Sequence, residues 1–136
     1  MSRIVIIEDD VQSLRLAARL LQRAGHEVIT AEDGEIGLKT VLEQTPDGVL
    51  VDLGLPDIDG QVVVSLLREQ PGMESLPIIA FTAWPNDTAQ QMAKAYGCSG
   101  VINKPINTRT FAAQVEAFLP RTAQADSPAY ADGVPE

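Results

Sequence analysis

Short apolar segments and amphipathic helical segments alternate five times along this chain, and no other feature limits its possible folds as strongly. The apolar segments are rich in β-branched residues and span residues 4–7, 27–30, 48–51, 78–81 and 100–103. Nearly continuous apolar character over such lengths is typical of parallel strands that are buried on both faces. The alternation therefore predicts an α/β fold in which five helices cover both faces of a five-stranded parallel sheet.

The segments between the predicted strands have apolar residues at helical spacing. Residues that commonly end a helix follow four of these segments, namely Gly25, Pro46, Gly97 and Pro120. Asp59 is placed to cap the third helix. The apolar stripes that we expect to face the sheet are Leu14, Ala17, Ala18 and Leu21; Leu38, Val41 and Leu42; Val63, Leu66 and Leu67; Ala89, Met92, Ala93 and Tyr96; and Phe111, Val115, Phe118 and Leu119.

The length of the patterned region predicts a single domain. A chain of 136 residues usually closes around one core, and here the pattern stops after Pro120. The remaining segment is small, polar and proline-containing, without an apolar stripe. We therefore expect a folded domain over residues 1–120 and a flexible tail over residues 121–136.

Composition and charge exclude several classes of function. Hydrophobic residues make up 45% of the chain and charged residues 21%, which is typical of a soluble globular protein. A formal net charge of −9 without a cluster of Lys or Arg disfavours direct nucleic-acid binding and favours a cation or a basic partner. The single cysteine, Cys98, excludes an internal disulfide and is expected to be a small buried residue. No segment is typical of a membrane span or a secretory leader, so we expect a cytoplasmic protein.

Polar residues stand where four of the five predicted strands end. Glu8 and Asp9 follow the first strand, Asp52 the third, Thr82 the fourth and Lys104 the fifth. The carboxyl ends of parallel strands lie at one edge of the sheet, and doubly wound sheets bind ligands there, where the strand order reverses. In the order 2-1-3-4-5 the reversal lies between the first and third strands. We therefore expect these five side chains to surround one site.

Such a set of side chains predicts phosphoryl chemistry assisted by a metal. Three carboxylates repel one another unless a cation lies among them, and Mg²⁺ suits a site with few protein oxygens and a phosphate ligand. Lys104 and the Thr82 hydroxyl can hold the outer oxygens of a phosphoryl group, and Asp52 can act as the nucleophile. Taken singly, these residues have ordinary explanations as loop or solvated side chains. Asp10, next in the chain, is most simply a helix cap, and Asp57 is expected to be a solvated turn residue.

Four motifs, in this order, resemble the receiver domain of two-component response regulators, including its stand-alone members: "VIIEDD", "VDLGLPDIDG", "IIAFTA" and "VINKP". The resemblance covers about residues 3–119 and implies a flavodoxin-like sheet. It implies that Asp52 is the phosphoacceptor. It also implies that Glu8, Asp9, Asp52 and the backbone carbonyl of Gly54 bind Mg²⁺.

The same resemblance implies the rest of a signalling mechanism. The donor would be a phosphohistidine on a sensor histidine kinase or a phosphotransfer protein, and Thr82 and Lys104 would contact the transferred group. The Lys104–Pro105 peptide is expected to be cis. Phosphorylation would draw Thr82 inward and change a surface formed by the fourth helix, fifth strand and fifth helix, which a downstream protein reads. The domain would catalyse its own phosphorylation and a slow autodephosphorylation.

The chain departs from the family pattern at three positions. Val101 stands where members commonly have an aromatic residue in the fifth strand, so we expect the loop that follows Thr82 to transmit the signal. Trp84 follows Thr82 by two positions and can hinder water at the mouth of the site. Gly54 brings no side chain to the site. The last two features predict a long-lived phosphorylated state.

Other functions fit parts of the sequence. A phosphorelay intermediate would use the same residues, and a degenerate receiver could bind partners without phosphorylation. A small-molecule phosphatase with an aspartyl intermediate typically has a second Asp two positions after the nucleophile, where this chain has Gly54. A flavin or nucleotide binder would need a glycine-rich loop after the first strand, where the acidic "IEDDVQS" repels phosphate.

Overall fold

The structure, a computed structural model of the chain, describes residues 2–120 and contains the predicted alternation of strands and helices. The predicted tail at 121–136 lies outside the described residues, so its flexibility stays a prediction. The strands are β1 (Arg3–Ile7), β2 (Glu27–Ala31), β3 (Gly48–Val51), β4 (Ile78–Thr82) and β5 (Gly100–Asn103). The helices are α1 (Val11–Arg23), α2 (Gly34–Gln44), α3 (Gly60–Arg68), α4 (Asn86–Tyr96) and α5 (Phe111–Glu116).

The five strands form one parallel sheet in the order β2-β1-β3-β4-β5, as predicted. β1 pairs with β2 on one side and with β3 on the other, so the chain changes direction across the sheet at this pair. The register places Ile7 opposite Val51, the last residues of β1 and β3. Whatever follows these two residues therefore lies at the same edge, at the reversal of strand order.

Alternating side chains of each central strand enter two separate apolar layers. In β1, Ile4 and Ile6 face the layer formed with α1 and α5, while Val5 and Ile7 face the layer formed with α2 and α3. All four side chains are fully buried, which explains why the sequence of the strand is apolar at consecutive positions. Burial of this kind is the main stabilising contribution to the fold.

Two predicted apolar stripes are narrower than expected. Leu42 of α2 and Tyr96 of α4 keep 39% and 37% of their surface exposed, although their spacing matched that of buried neighbours. Each helix presents a narrower face to the sheet than its apolar pattern predicted. Among the apolar positions of these stripes, the buried ones are Val41 in α2 and Ala89 and Ala93 in α4. The spacing marked both helices correctly, but Leu42 and Tyr96 lie outside the buried part of each apolar stripe.

The end of α5 also differs from the prediction. The helix ends at Glu116 and not at Pro120. Phe118 and Leu119 donate hydrogen bonds of 3.0 and 3.1 Å to carbonyls three residues earlier, so the chain tightens into successive turns. The tightened turn packs the ring of Phe118 against Gly100 of the edge strand β5. A Cβ atom at position 100 would lie 2.3 Å from the ring, so only glycine fits there with the ring in place.

Among the helices of residues 2–120, none combines the length and the apolar character that crossing a membrane requires.

Candidate functional site

The carboxylates of Glu8, Asp9 and Asp52 converge at the carboxyl ends of β1 and β3. One oxygen from each residue lies within 4.8 Å of the others. Glu8 is fully buried and Asp52 is 9% exposed, whereas Asp9 is exposed at the rim. The structure thus brings together the three acidic side chains that the sequence placed at one site.

Lys104 reaches this cluster from β5, two strands away from β3. Its ammonium forms an ion pair with Glu8 Oε1 and lies 3.6 Å from Asp52 Oδ2. The side chain is only 16% exposed, and its Nζ makes a cation–π contact with Phe81, at 4.8 Å from the centroid of the ring. The Lys104 amide donates to the Thr82 carbonyl at 2.8 Å, and the Lys104–Pro105 peptide is cis, as predicted.

Glu8 is the most deeply buried acid of this cluster. Burial raises the pKa of its carboxyl group to about 7, with the nearby Asp52 acting in the same direction and Lys104 opposing it. Glu8 Oε2 accepts a hydrogen bond of 3.1 Å from the Asp10 amide. A divalent cation among these carboxylates would favour the ionised form of Glu8. The hard oxygen donors, their closeness and the buried carboxyl group therefore fit a Mg²⁺ ion.

The backbone around Asp52 is held closely. The Asp52 amide donates to the Ile7 carbonyl at 2.9 Å, which continues the pairing of β1 with β3. Asp52 Oδ1 accepts a hydrogen bond of 3.0 Å from the Gly54 amide. Gly60, the first residue of α3, packs so closely that an added Cβ would lie 2.1 Å from the Asp52 carbonyl oxygen. The role of the Gly54 carbonyl as a metal ligand stays a prediction, although its residue lies directly at the site.

Thr82 is the last residue of β4 and not the first residue after it, as the sequence had suggested. It is 1% exposed, and its hydroxyl oxygen accepts a hydrogen bond of 3.0 Å from the Trp84 amide. The Thr82 hydroxyl therefore ties the loop that carries Trp84 to the end of the strand. Trp84 is half-buried, and Val101 of β5 is half-buried and paired with Ala80.

Two acidic residues of the loop between β3 and α3 have hydrogen bonding that the sequence did not predict. Asp59 occupies the N-cap position of α3, but its side chain makes no capping hydrogen bond. Asp57 is an exposed turn residue, as predicted, but its carboxylate also makes two hydrogen bonds that the sequence did not predict. Its Oδ1 accepts from the Gly34 amide at 2.8 Å and its Oδ2 from the Glu35 amide at 3.0 Å. These amides belong to the first turn of α2, so Asp57 bonds a helix start that lies 23 residues earlier in the chain.

Cys98 lies at the other end of the sheet and takes no part in this cluster. It is half-buried, less than the sequence predicted, and burial raises the pKa of its thiol to about 11. The nearby guanidinium of Arg68 opposes that shift.

Comparison with known proteins links this arrangement to one family. Residues 4–116 match the sequence family described as the response regulator receiver domain. The polar-differentiation response regulator DivK of Brucella anthropi is 28% identical over 116 residues, which cover 85% of this chain and 94% of the relative. The structure of the chemotaxis response regulator CheY4 of Vibrio cholerae superposes with a TM-score of 0.83 at 28% identity, covering 88% of this chain and 99% of that one. The BeF3-activated N-terminal receiver domain of Klebsiella pneumoniae RstA superposes with a TM-score of 0.76 at 26% identity, covering 85% and 97%. The family match includes every predicted site residue from Glu8 to Lys104.

Proposed function

The chain belongs to the response regulator receiver domain family, and on that premise we propose that it is a signalling switch that accepts a phosphoryl group on Asp52. The donor is a phosphohistidine on a sensor histidine kinase or on a phosphotransfer protein. The phosphorylated domain then binds a downstream protein. The single observation that carries the proposal is the placement of the Lys104 ammonium between the carboxylates of Glu8 and Asp52 at the reversal of strand order.

In the transfer step, a carboxylate oxygen of Asp52 attacks the phosphorus atom of the donor. The phosphorus–nitrogen bond breaks, and its electron pair stays on the imidazole nitrogen, which takes up a proton. Lys104 supplies positive charge to the transferred group, since its Nζ lies 3.6 Å from Asp52 Oδ2. The small exposed fraction of Asp52 and Lys104 limits screening by water, which strengthens that interaction.

Glu8, Asp9, Asp52 and the Gly54 carbonyl would hold Mg²⁺. When bound, the ion neutralises the carboxylates and the phosphoryl oxygens that must approach one another. The burial of Glu8 beside Asp9 and Asp52 supports this assignment, because buried carboxylates so close together need a nearby cation to stay ionised.

The Thr82 hydroxyl would report the phosphorylated state. Before phosphorylation its oxygen accepts a hydrogen bond from the Trp84 amide. A phosphoryl group on Asp52 offers the hydroxyl proton a new charged acceptor and so changes the position of the loop that carries Trp84. With Val101 in β5, this loop is the route by which the change would reach α4, β5 and α5. A cytoplasmic location, expected from the sequence, stays a prediction.

Intact-protein mass measurement tests the central claim. The purified chain is incubated with acetyl phosphate and Mg²⁺, and we expect a gain equal to one phosphoryl group. The gain should disappear in Asp52→Ala and when Mg²⁺ is chelated. Asp59→Ala is the matched control, because it removes a carboxylate from the same loop without touching the cluster. A gain that survives Asp52→Ala, or no gain in the parent, would refute the proposal.

The phosphorylated parent also separates a terminal switch from a relay. Incubated with a histidine phosphotransfer protein, a relay intermediate passes its phosphoryl group back to histidine, and mass measurement of both proteins detects the transfer. Loss of the group only to water indicates a terminal switch. An unphosphorylated chain that nevertheless binds a downstream protein would support the alternative of a phosphorylation-independent module.

A further inference from the structure

We propose that Asp57 is a positioning residue, which holds the loop between β3 and α3 in its metal-binding geometry by bonding to the first turn of α2. The inference rests on the proposed function, since the loop in question carries Asp52 and the predicted Gly54 ligand. Asp57 itself contacts neither the phosphoryl group nor the metal. It acts on them through the loop.

The hydrogen bonds of Asp57 join two parts of the fold that the sheet does not connect directly. The first turn of a helix has amide groups without partners inside the helix. Asp33 satisfies the Ile36 amide at 2.8 Å as the local cap of α2, and Asp57 satisfies the Gly34 and Glu35 amides. The hydrogen bond from the Gly34 amide, joined by that from the Glu35 amide, lowers the pKa of Asp57.

The packing at Gly34 is a second, independent sign that the loop is fitted to this helix. A Cβ atom at position 34 would lie 3.1 Å from Ile58 Cβ, 3.1 Å from Val63 Cγ2 and 3.3 Å from Asp57 Oδ1. The absence of a side chain at this position thus allows the loop to approach the backbone of α2. The carboxylate bonds and the close packing hold the loop at the same point.

The rest of the loop is attached by apolar contacts and backbone hydrogen bonds, and half-buried Ile58 packs against the apolar layer formed with α2 and α3. Leu53 and Leu55 are buried, and the Gly60 amide donates to the Leu53 carbonyl at 3.1 Å. Between these points the side chain of Asp57 supplies two hydrogen bonds from the tip of the loop to another element. Without them the loop would sample other positions, and only a fraction of molecules would present Gly54 to the metal. The apparent affinity for Mg²⁺ falls in proportion to that fraction.

Titration with Mg²⁺ of the unphosphorylated protein tests the inference without any transfer reaction. Binding is measured by calorimetry and by the fluorescence of Trp84, the only tryptophan of the chain, which lies two residues after Thr82. We expect Asp57→Ala to raise the dissociation constant about fivefold, as for loss of a carboxylate from an exposed helix start. Asp57→Asn, which keeps one acceptor oxygen, should fall between the parent and Asp57→Ala.

Two further variants separate positioning from simple electrostatics and from a loss of folding. Asp59→Asn removes the same charge from the same loop, but Asp59 has no capping bond, so its effect should stay below about twofold. Gly34→Ala keeps every charge and places a Cβ 3.3 Å from Asp57 Oδ1, which shifts this contact by a few tenths of an ångström, so it should weaken Mg²⁺ binding less than Asp57→Ala does. Urea unfolding of each variant establishes that the protein is folded under the titration conditions.

The outcomes distinguish this inference from the proposed function. Equal weakening in Asp57→Asn and Asp59→Asn would overturn the inference, because charge alone would then explain both. An unchanged dissociation constant in Asp57→Ala, with normal binding and phosphorylation of the parent, would overturn the inference and leave the proposed function intact. A parent that neither binds Mg²⁺ nor gains a phosphoryl group would overturn both.

Discussion

Substitution of Gly60 by alanine is the most severe single change that the geometry of the site predicts. An added Cβ would lie 2.1 Å from the Asp52 carbonyl oxygen and 2.6 Å from Leu53 Cα. Carbon and oxygen atoms in close contact are normally about 3.3 Å apart, so the two segments would have to separate by about 1 Å. The neighbouring atoms are backbone, and the Asp52 amide is bonded to the Ile7 carbonyl, so β3 has little freedom to move.

The separation would instead displace α3 from its apolar layer. Val63, Val64 and Leu67 are all fully buried there, and a gap of 0.5–1 Å removes about a quarter to a half of a dispersion contact. We therefore expect Gly60→Ala to lower the free energy of unfolding by about 3 kcal/mol, a large part of the stability of such a domain. The melting temperature would fall by about 10 °C.

Urea unfolding of the metal-free protein, followed by far-UV circular dichroism and Trp84 fluorescence, measures this effect. Gly54→Ala is the matched control, because its Cβ would meet only Asp52 Oδ1 at 3.9 Å and its backbone is not left-handed. The control should stay within about 0.5 kcal/mol of the parent. A loss below about 1 kcal/mol in Gly60→Ala, or an equal loss in both variants, would refute the steric reasoning.

Four other predictions follow from contacts outside or around the cluster. Arg68 donates hydrogen bonds to the carbonyls of Met73, Leu76 and Gly97 at 2.8, 2.7 and 2.9 Å, and the single ammonium of a lysine cannot make all three. Arg68→Lys should therefore lower the free energy of unfolding by about 1–2 kcal/mol in urea titrations, with the exposed Arg15→Lys as control. Cys98 in the native protein should react slowly with iodoacetamide at pH 8 and faster as the pH rises toward 11, since its pKa of about 11 leaves roughly one thiolate in a thousand at pH 8. A reaction rate equal to that of the urea-unfolded chain would contradict this. Asp57→Asn should lower the free energy of unfolding at neutral pH, because the pKa of Asp57 is lowered in the folded state and its carboxylate stabilises the fold while it is ionised. The difference in unfolding free energy from the parent should disappear as the pH falls below 3.8 and the carboxylate is protonated; a difference that persists in acid would show another cause. Trp84→Ala should shorten the lifetime of the phosphorylated protein about threefold or more by admitting water, as measured by intact mass over time, and an unchanged lifetime would remove this role for Trp84.

The sequence predicted the sheet and the position of the site because both depend on local patterns. Buried strands are apolar at consecutive positions, and the residues that follow them must share one edge once the strands are parallel. The sequence therefore placed four side chains at one site without any knowledge of distances, namely those of Glu8, Asp9, Asp52 and Lys104. The contacts among these side chains could not be predicted in the same way. Lys104 was expected to face a phosphoryl group, whereas its direct ion pair with Glu8 depends on the distance between the two side chains, which no sequence pattern encodes.

The role of Asp57 could not be predicted for a related physical reason. An aspartate in a turn has the same local sequence whether water or a distant amide satisfies it, and here the amides belong to a helix that begins 23 residues earlier. The only local signal was the pair Asp33–Gly34, which predicts a helix start with amides in need of acceptors. The exposed positions of Leu42 and Tyr96 have the same origin, since helical spacing indicates a face but not its width.

The contact between Gly100 and the ring of Phe118 has a consequence for how related sequences diverge. The ring occupies the space into which a side chain at position 100 would project, so the two positions act as one steric unit. A larger residue at 100 requires either a smaller residue at 118 or a Phe118 ring that turns aside, since the atoms in closest contact are the far end of the ring. Among relatives with this edge strand and this final turn, we therefore expect a side chain at position 100 to occur mostly with a smaller residue, or a displaced ring, at position 118.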